Sequence, residues 1–127
     1  MYKCVIIDDE QLSINILKNF IDNSDQLELL NTFTDPLKGT HEILDYDVID
    51  FLFLDIRMDI SGLDVAKVIR DRVKYLIFVT AYEHYALDAF SVHCDRYLMK
   101  PVNYKKLDLV IQELLNRERG GMGRRGA

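Results

Sequence analysis

A doubly wound α/β domain, with five parallel strands covered by helices on both faces, is the fold class predicted for this 127-residue chain. Three observations predict it. Short apolar runs alternate five times with longer stretches in which apolar residues recur at helical spacing. The runs are apolar at consecutive positions, as in Phe51-Leu52-Phe53-Leu54, which suits strands covered on both sides. Strand and helix follow one another in strict alternation, the pattern of a parallel sheet.

Lys3–Ile7 reads as the first strand, rich in β-branched residues and ending at Asp8-Asp9-Glu10. Leu12, Ile16, Leu17, Phe20 and Ile21 then mark the apolar stripe of a first helix. Leu27–Phe33 is the second strand. Asp35-Pro36 supplies an N-cap and a proline at the first helical position, so a short second helix runs from there towards Leu44. Phe51–Leu54 is the third strand, and Gly62 opens a helix carrying Leu63, Ala66, Ile69 and Val73 on one face. Leu76–Val79 is the fourth strand, ending at Thr80-Ala81, and Tyr85, Ala86, Ala89 and Phe90 suggest the fourth helix. Arg96–Met99 is a short fifth strand before Lys100-Pro101. Asn103 caps the last helix, whose buried stripe is Leu107, Val110, Ile111 and Leu114. The domain is expected over residues 1–118. Residues 119–127, ending in GGMGRRGA without apolar period, are expected to be a flexible linker or terminal tail.

Composition narrows the function classes. A content of 49% hydrophobic and 29% charged residues is that of an ordinary globular domain. The net charge is −5, and Arg117, Arg119, Arg124 and Arg125 near the end leave the body more acidic still. A phosphate backbone demands a basic face, so the domain itself is not expected to bind nucleic acid. Cys4 and Cys94 lack metal-ligand spacing and read as reduced structural thiols. No apolar run approaches the ~18 residues of a membrane span, and no signal peptide precedes Val5; the expected location is the cytoplasm.

In an open parallel sheet, functional groups gather at the carboxyl ends of the strands. Here those ends carry Asp8-Asp9-Glu10, Asp55, Thr80 and Lys100-Pro101. Carboxylates converging on one sheet edge repel one another unless a cation sits among them. An oxygen-only set suits Mg²⁺, whereas Zn²⁺ would want His or Cys at these ends. The hydroxyl of Thr80 and the ammonium of Lys100 add groups suited to phosphoryl oxygens, and Asp55 is then the nucleophile forming an acyl phosphate. Each piece alone has a plainer explanation. Asp8-Asp9-Glu10 could favour the first helix through its macrodipole, Lys100 could be a surface lysine, and Thr80 an ordinary β-former. Their joint placement on successive strand ends is what unrelated causes would not produce.

IIDDE at Ile6–Glu10, FLDIRM at Phe53–Met58, VTAY at Val79–Tyr82 and YLMKPV at Tyr97–Val102 together resemble the receiver domain of bacterial two-component response regulators. The resemblance covers nearly the whole chain. It implies a flavodoxin-like (βα)5 domain with strand order 2-1-3-4-5. It further implies that Asp55 accepts a phosphoryl group from a sensor histidine kinase. Mg²⁺ would be held by Asp8, Asp9, Asp55 and the backbone carbonyl of Arg57. Thr80 and Lys100 would contact the phosphoryl group, Tyr97 would be the switch aromatic, and Ala81 would leave room for the incoming group. Such a domain is a signalling module rather than an enzyme with a separate substrate. Activation would reshape the face of the fourth helix, fifth strand and fifth helix, with Tyr82, His84 and Tyr104 exposed on it, and could produce a homodimer. Thr80–Val102 looks most like the subgroup preceding a LytTR-type (LytR/AlgR-like) DNA-binding domain, so DNA would be reached only through an output domain outside these residues.

One segment departs from that family. Where members follow the acceptor with D-I-x-M-P-x-x-x-G, Met58 is here followed by Asp59, and Gly62 comes one residue early. Asp59 is expected to be a solvated loop residue or the N-cap of the third helix. The altered loop leaves open a pseudo-receiver that acts as an interaction module without phosphorylation. A haloacid-dehalogenase-type phosphatase fits less well, because the acid it needs two residues after the nucleophile is Arg57. An FMN-binding flavodoxin would want a hydroxyl- and glycine-rich loop where this chain has acids.

Overall fold

The structure, a computed structural model, describes the backbone of residues 1–125 and the side chains of residues 1–118. The expected tail at 119–127 therefore lies outside the described side chains. Eleven elements follow in strict alternation of strand and helix apart from one 3-10 turn: β1 (Tyr2–Ile7), α1 (Gln11–Asp22), β2 (Leu27–Phe33), α2 (Pro36–Asp45), β3 (Phe51–Leu54), α3 (Gly62–Ile69) with a 3-10 turn at Arg70–Arg72, β4 (Tyr75–Thr80), α4 (Ala86–Ser91), β5 (Arg96–Met99) and α5 (Tyr104–Arg125). The five strands are all parallel, in the order β2-β1-β3-β4-β5. No helix among the described residues is long and apolar enough to cross a membrane.

Successive strand residues point to opposite faces, and the core divides accordingly. Cys4 and Ile6, Phe51 and Phe53, and Tyr75, Ile77 and Val79 face α1 and α5. Val5 and Ile7, Leu52 and Leu54, and Leu76 and Phe78 face α2, α3 and the buried part of α4. A central strand such as Phe51–Leu54 thus buries every side chain, which is why its sequence shows no alternation. Each fully buried side chain of this size contributes about 1.5–3 kcal/mol relative to exposure.

Local signals set several boundaries. Asp35 accepts hydrogen bonds from the N–H groups of Leu37 and Lys38, capping α2 with Pro36 at its first position. Asn103 accepts from Lys106 N at 3.1 Å and starts α5. At α3 the cap is Ser61, whose hydroxyl accepts from Leu63 N, and not Asp59, which is an exposed loop residue.

Two helices bury only part of the expected stripe: Leu17, Phe20 and Ile21 in α1 and Ala89 in α4 are buried as expected. In α1 the buried stripe is Ile14, Leu17, Phe20 and Ile21, while Leu12 and Ile16 are exposed. Two apolar rows run along this helix, and only one can face the sheet. In α4 only Ala89 is buried; Leu87 is 83% and Phe90 71% exposed. The helix is too short and too lightly packed to cover both.

Candidate functional site

Strand register delivers the site. Ile7 pairs with Leu54, and Leu54 with Phe78, so the next residues of β1 and β3, Asp8 and Asp55, leave the sheet side by side. Their backbones are the last rungs of the ladder. Asp55 N donates to Ile7 O at 3.0 Å and Asp8 N to Phe33 O at 3.0 Å. Lys100 N donates to Thr80 O at 2.8 Å, fixing the start of the segment after β5. The buried polar residues of the described chain are Asp8, Asp55 and Thr80, all at this edge. Burying carboxylates is unfavourable unless charge compensates them, so their concentration in one place needs an account.

Carboxylate oxygens of Asp8, Asp9 and Asp55 come within 4.8 Å of one another. The Lys100 ammonium lies 2.9 Å from Asp8 Oδ2, 3.0 Å from Glu10 Oε1 and 3.4 Å from Asp55 Oδ2. The remaining Asp55 oxygen accepts from Ile56 N at 2.8 Å, and Asp8 Oδ1 from Glu10 N at 2.9 Å. Asp8 Oδ2 is different: among the described residues it is fully buried, and the Lys100 ammonium is the one donor it meets. Three acids converging on one point, one of them with a buried oxygen that meets only Lys100, and no His or Cys, form a donor set that fits Mg²⁺.

The electrostatics agree. Burial pushes the Asp8 carboxyl up to about 6, against the pull of its hydrogen bonds from Glu10 N and Lys100 and with the help of the Asp55 charge. Asp9 is pushed up as well, by desolvation and then by Asp55. Glu10 is drawn down by Lys100. For Lys100, desolvation opposes the charge, but Asp8, Glu10 and Asp55 outweigh it and hold the ammonium well above its usual range.

A testable pH dependence follows from Asp8. Its carboxyl titrates near 6 in the folded chain against 3.8 ordinarily, so the folded state holds the proton more tightly. The stability this adds is complete below pH ~4 and is lost as pH rises through ~6, a change of about 3 kcal/mol at ~1.4 kcal/mol per unit. Urea unfolding in a chelating buffer should therefore show stability falling across that window. Asp8→Asn should flatten the fall; an unchanged profile in the variant would show that Asp8 is not its source.

Around the acids the expected residues take specific places. Thr80 is fully buried, and its Oγ1 accepts from Tyr82 N at 3.3 Å. The hydroxyl of Tyr97 donates to Tyr82 O, and its ring lies 6.3 Å from that of Phe78. Arg57 is exposed, with its guanidinium 4.6 Å from the centre of the Tyr82 ring. Ala81, Tyr82 and Arg57 join Asp9, Glu10, Asp55 and Lys100 around an open pocket of about 360 Å³. Tyr104 is exposed, as expected, and also ties α5 to α1: its hydroxyl donates to Ile16 O and accepts from Asn19 Nδ2. Two residues gain a role that the sequence reasoning did not assign. Glu10 reaches Lys100 across the site, and Gly62 packs against the Asp55 carbonyl with no room for a side chain. The glycine's early position in the loop was the signal for the second; nothing local signals the first.

Comparison with known proteins agrees with this arrangement. Residues 4–112 match the response regulator receiver domain family. An uncharacterized response regulatory protein of Vibrio cholerae is 32% identical over 121 residues, 94% of this chain and 51% of that protein. The sensory transduction protein LytR of Staphylococcus epidermidis is 32% identical over 115 residues, 88% of this chain and 45% of that protein. The chain thus spans about half the length of the curated relatives it matches. Among solved structures, the response regulator protein TrrA of Thermotoga maritima, in complex with Mg²⁺-BeF, superposes with a TM-score of 0.77 at 28% identity, over 90% of this chain and 99% of that one.

Proposed function

This chain belongs to the response regulator receiver domain family, and from that premise we propose that Asp55 is its phosphoacceptor, loaded by a sensor histidine kinase. The observation that carries the reading is the convergence of Asp8, Asp9 and Asp55 within 4.8 Å, with the Lys100 ammonium against two of them. In the transfer, Asp55 Oδ2 attacks the phosphorus of a phosphohistidine; the new O–P bond forms as the N–P bond breaks, and the imidazole keeps the electron pair. Mg²⁺, held by Asp8, Asp9, Asp55 and the Arg57 carbonyl, would neutralise the phosphoryl oxygens. Lys100 adds a positive charge beside Asp55, and Thr80, whose Oγ1 accepts from Tyr82 N, keeps its hydroxyl proton to donate to a phosphoryl oxygen. Ala81 leaves the approach open.

The output follows the same logic. Thr80, Tyr82 and Tyr97 are joined by hydrogen bonds, so a phosphoryl group that draws on Thr80 disturbs the loop before α4 and the tyrosine on β5. Exposed Leu87 and Phe90 on α4 offer an apolar surface for a second copy once that face is reshaped. Arg57 over Tyr82 shields the pocket mouth and favours slow hydrolysis of the acyl phosphate. The domain is taken to end near residue 118, with the backbone of α5 continuing to Arg125 as the connection onward. The likeness to LytR supports an output domain of the LytTR type, and with it transcriptional control in the cytoplasm.

The deciding experiment is incubation with Mg²⁺ and either acetyl phosphate or beryllofluoride. Intact mass should rise by one phosphoryl group, located at Asp55 by peptide mapping, and sedimentation should show a larger species with beryllofluoride than without. If no adduct forms, the domain works as an interaction module without phosphorylation.

A further inference from the structure

The acid at position 10 stands where a helix cap belongs yet caps nothing. Glu10 is the N-cap of α1, with extended backbone angles, but its side chain makes no capping hydrogen bond to the backbone N–H groups of the helix. It turns instead to Lys100, ninety positions away, at 3.0 Å. Ser13 Oγ donates to the same Oε1 at 3.4 Å, and the Glu10 backbone N–H is held by Asp8. The carboxylate is thus aimed at the lysine from both ends of its own side chain.

Lys100 sits unevenly among its partners. It is closer to Asp8 and Glu10, at 2.9 and 3.0 Å, than to Asp55 at 3.4 Å. A phosphoryl group on Asp55 would add a new anionic acceptor on that side of the ammonium, in competition with Asp8 and Glu10. Its bond to Asp8 is buried, with the Asp8 side chain 2% exposed, whereas the Glu10 side chain is 65% exposed. An exposed ion pair is weak and easily broken, so Glu10 is the partner that can let go.

We propose that Glu10 is a positioning residue: its carboxylate tethers the Lys100 ammonium on the α1 side of the site and must release it when a phosphoryl group occupies Asp55. The inference rests on Asp55 being the acceptor. The tether opposes phosphoryl binding by the strength of one exposed ion pair, so removing it tightens binding by about 1.4- to 5-fold.

The test compares the wild-type chain with Glu10→Gln and Glu10→Asp for beryllofluoride affinity at saturating Mg²⁺, alongside the ¹H–¹⁵N signal of the Lys100 ammonium in the metal-free protein. Aspartate keeps the charge but loses one methylene of reach, and at an N-cap it prefers the helix N–H groups. Both variants are expected to bind more tightly and to shift the Lys100 signal. The gain should shrink near 1 M salt, where the screening length is about 3 Å. If Glu10→Gln gains while Glu10→Asp matches wild type, simple charge repulsion explains the effect and the tether is overturned. An unmoved Lys100 signal, or affinities equal to wild type in both variants, overturns it too. If wild type itself forms no adduct, the acceptor reading fails and this inference with it; if wild type binds and the variants do not differ, only the tether fails.

Discussion

Asp55→Asn is expected to abolish adduct formation with acetyl phosphate and beryllofluoride while leaving the domain folded. The two halves of that statement have separate grounds. An amide cannot form the acyl phosphate, and no neighbouring acid stands in for it. Asp8 is engaged by Glu10 N and Lys100, and Asp9 leaves the strand on the exposed side. The fold survives because the Asp55 oxygen that accepts from Ile56 N has a counterpart in asparagine, and the backbone rung to Ile7 is untouched. Losing one of three crowded carboxylates also relieves repulsion, so the unfolding midpoint without metal should hold or rise. A variant that still gains one phosphoryl mass would place the chemistry on another residue. A variant that unfolds would mean Asp55 is structural first.

Gly62→Ala should cause the largest loss of stability of any conservative change near the site. A Cβ built at Gly62 would lie 1.8 Å from the carbonyl oxygen of Asp55 and 2.8 Å from its carbonyl carbon. Both are backbone atoms at the end of a central strand, so no flexible side chain can step aside. Gly62 N also donates to Ile56 O at 2.7 Å, closing the turn that begins at Asp55. Making room means moving α3 away from β3 or displacing Asp55. Overpacking of this kind is expected to destabilise by about 3 kcal/mol, a fall in melting temperature on the order of 10 °C. Because the clash is with Asp55 itself, Mg²⁺ affinity should fall as well. Calorimetry and a metal titration check both, and Ala at the neighbouring Ser61, which loses only a cap, should lower stability by about 1 kcal/mol.

The shortened loop after Asp55 shows how sequence and structure divide the information. Its length was evident from the sequence, and so was the presence of a second acid in it. Of the two expectations for Asp59, the exposed loop residue holds and the cap does not: the cap is Ser61 and α3 begins at Gly62. The reason is the close approach of Gly62 to Asp55, which sets where the chain can turn into α3.

The amphipathic helices divide in a similar way. Spacing alone identified α1 and α4, yet Leu12, Ile16 and Phe90 lie in solvent. Helical period states that an apolar stripe exists; it does not say which of two adjoining rows meets the sheet. In α5, where one row was dominant, Leu107, Val110, Ile111 and Leu114 are all buried as expected.

By itself, the sequence determined the alternation of strands and helices, the apolar core strands, and the chemistry at each strand end. These depend on local period and on residues adjacent in the chain, which is information that one dimension carries. Only the tertiary structure decided that Asp8 is the buried acid of its pair and Asp9 the exposed one, and that Lys100 leans towards Asp8 and Glu10 rather than Asp55. Those facts depend on where side chains ninety residues apart meet once five strands are in register, and on which of several carboxylates is left without water.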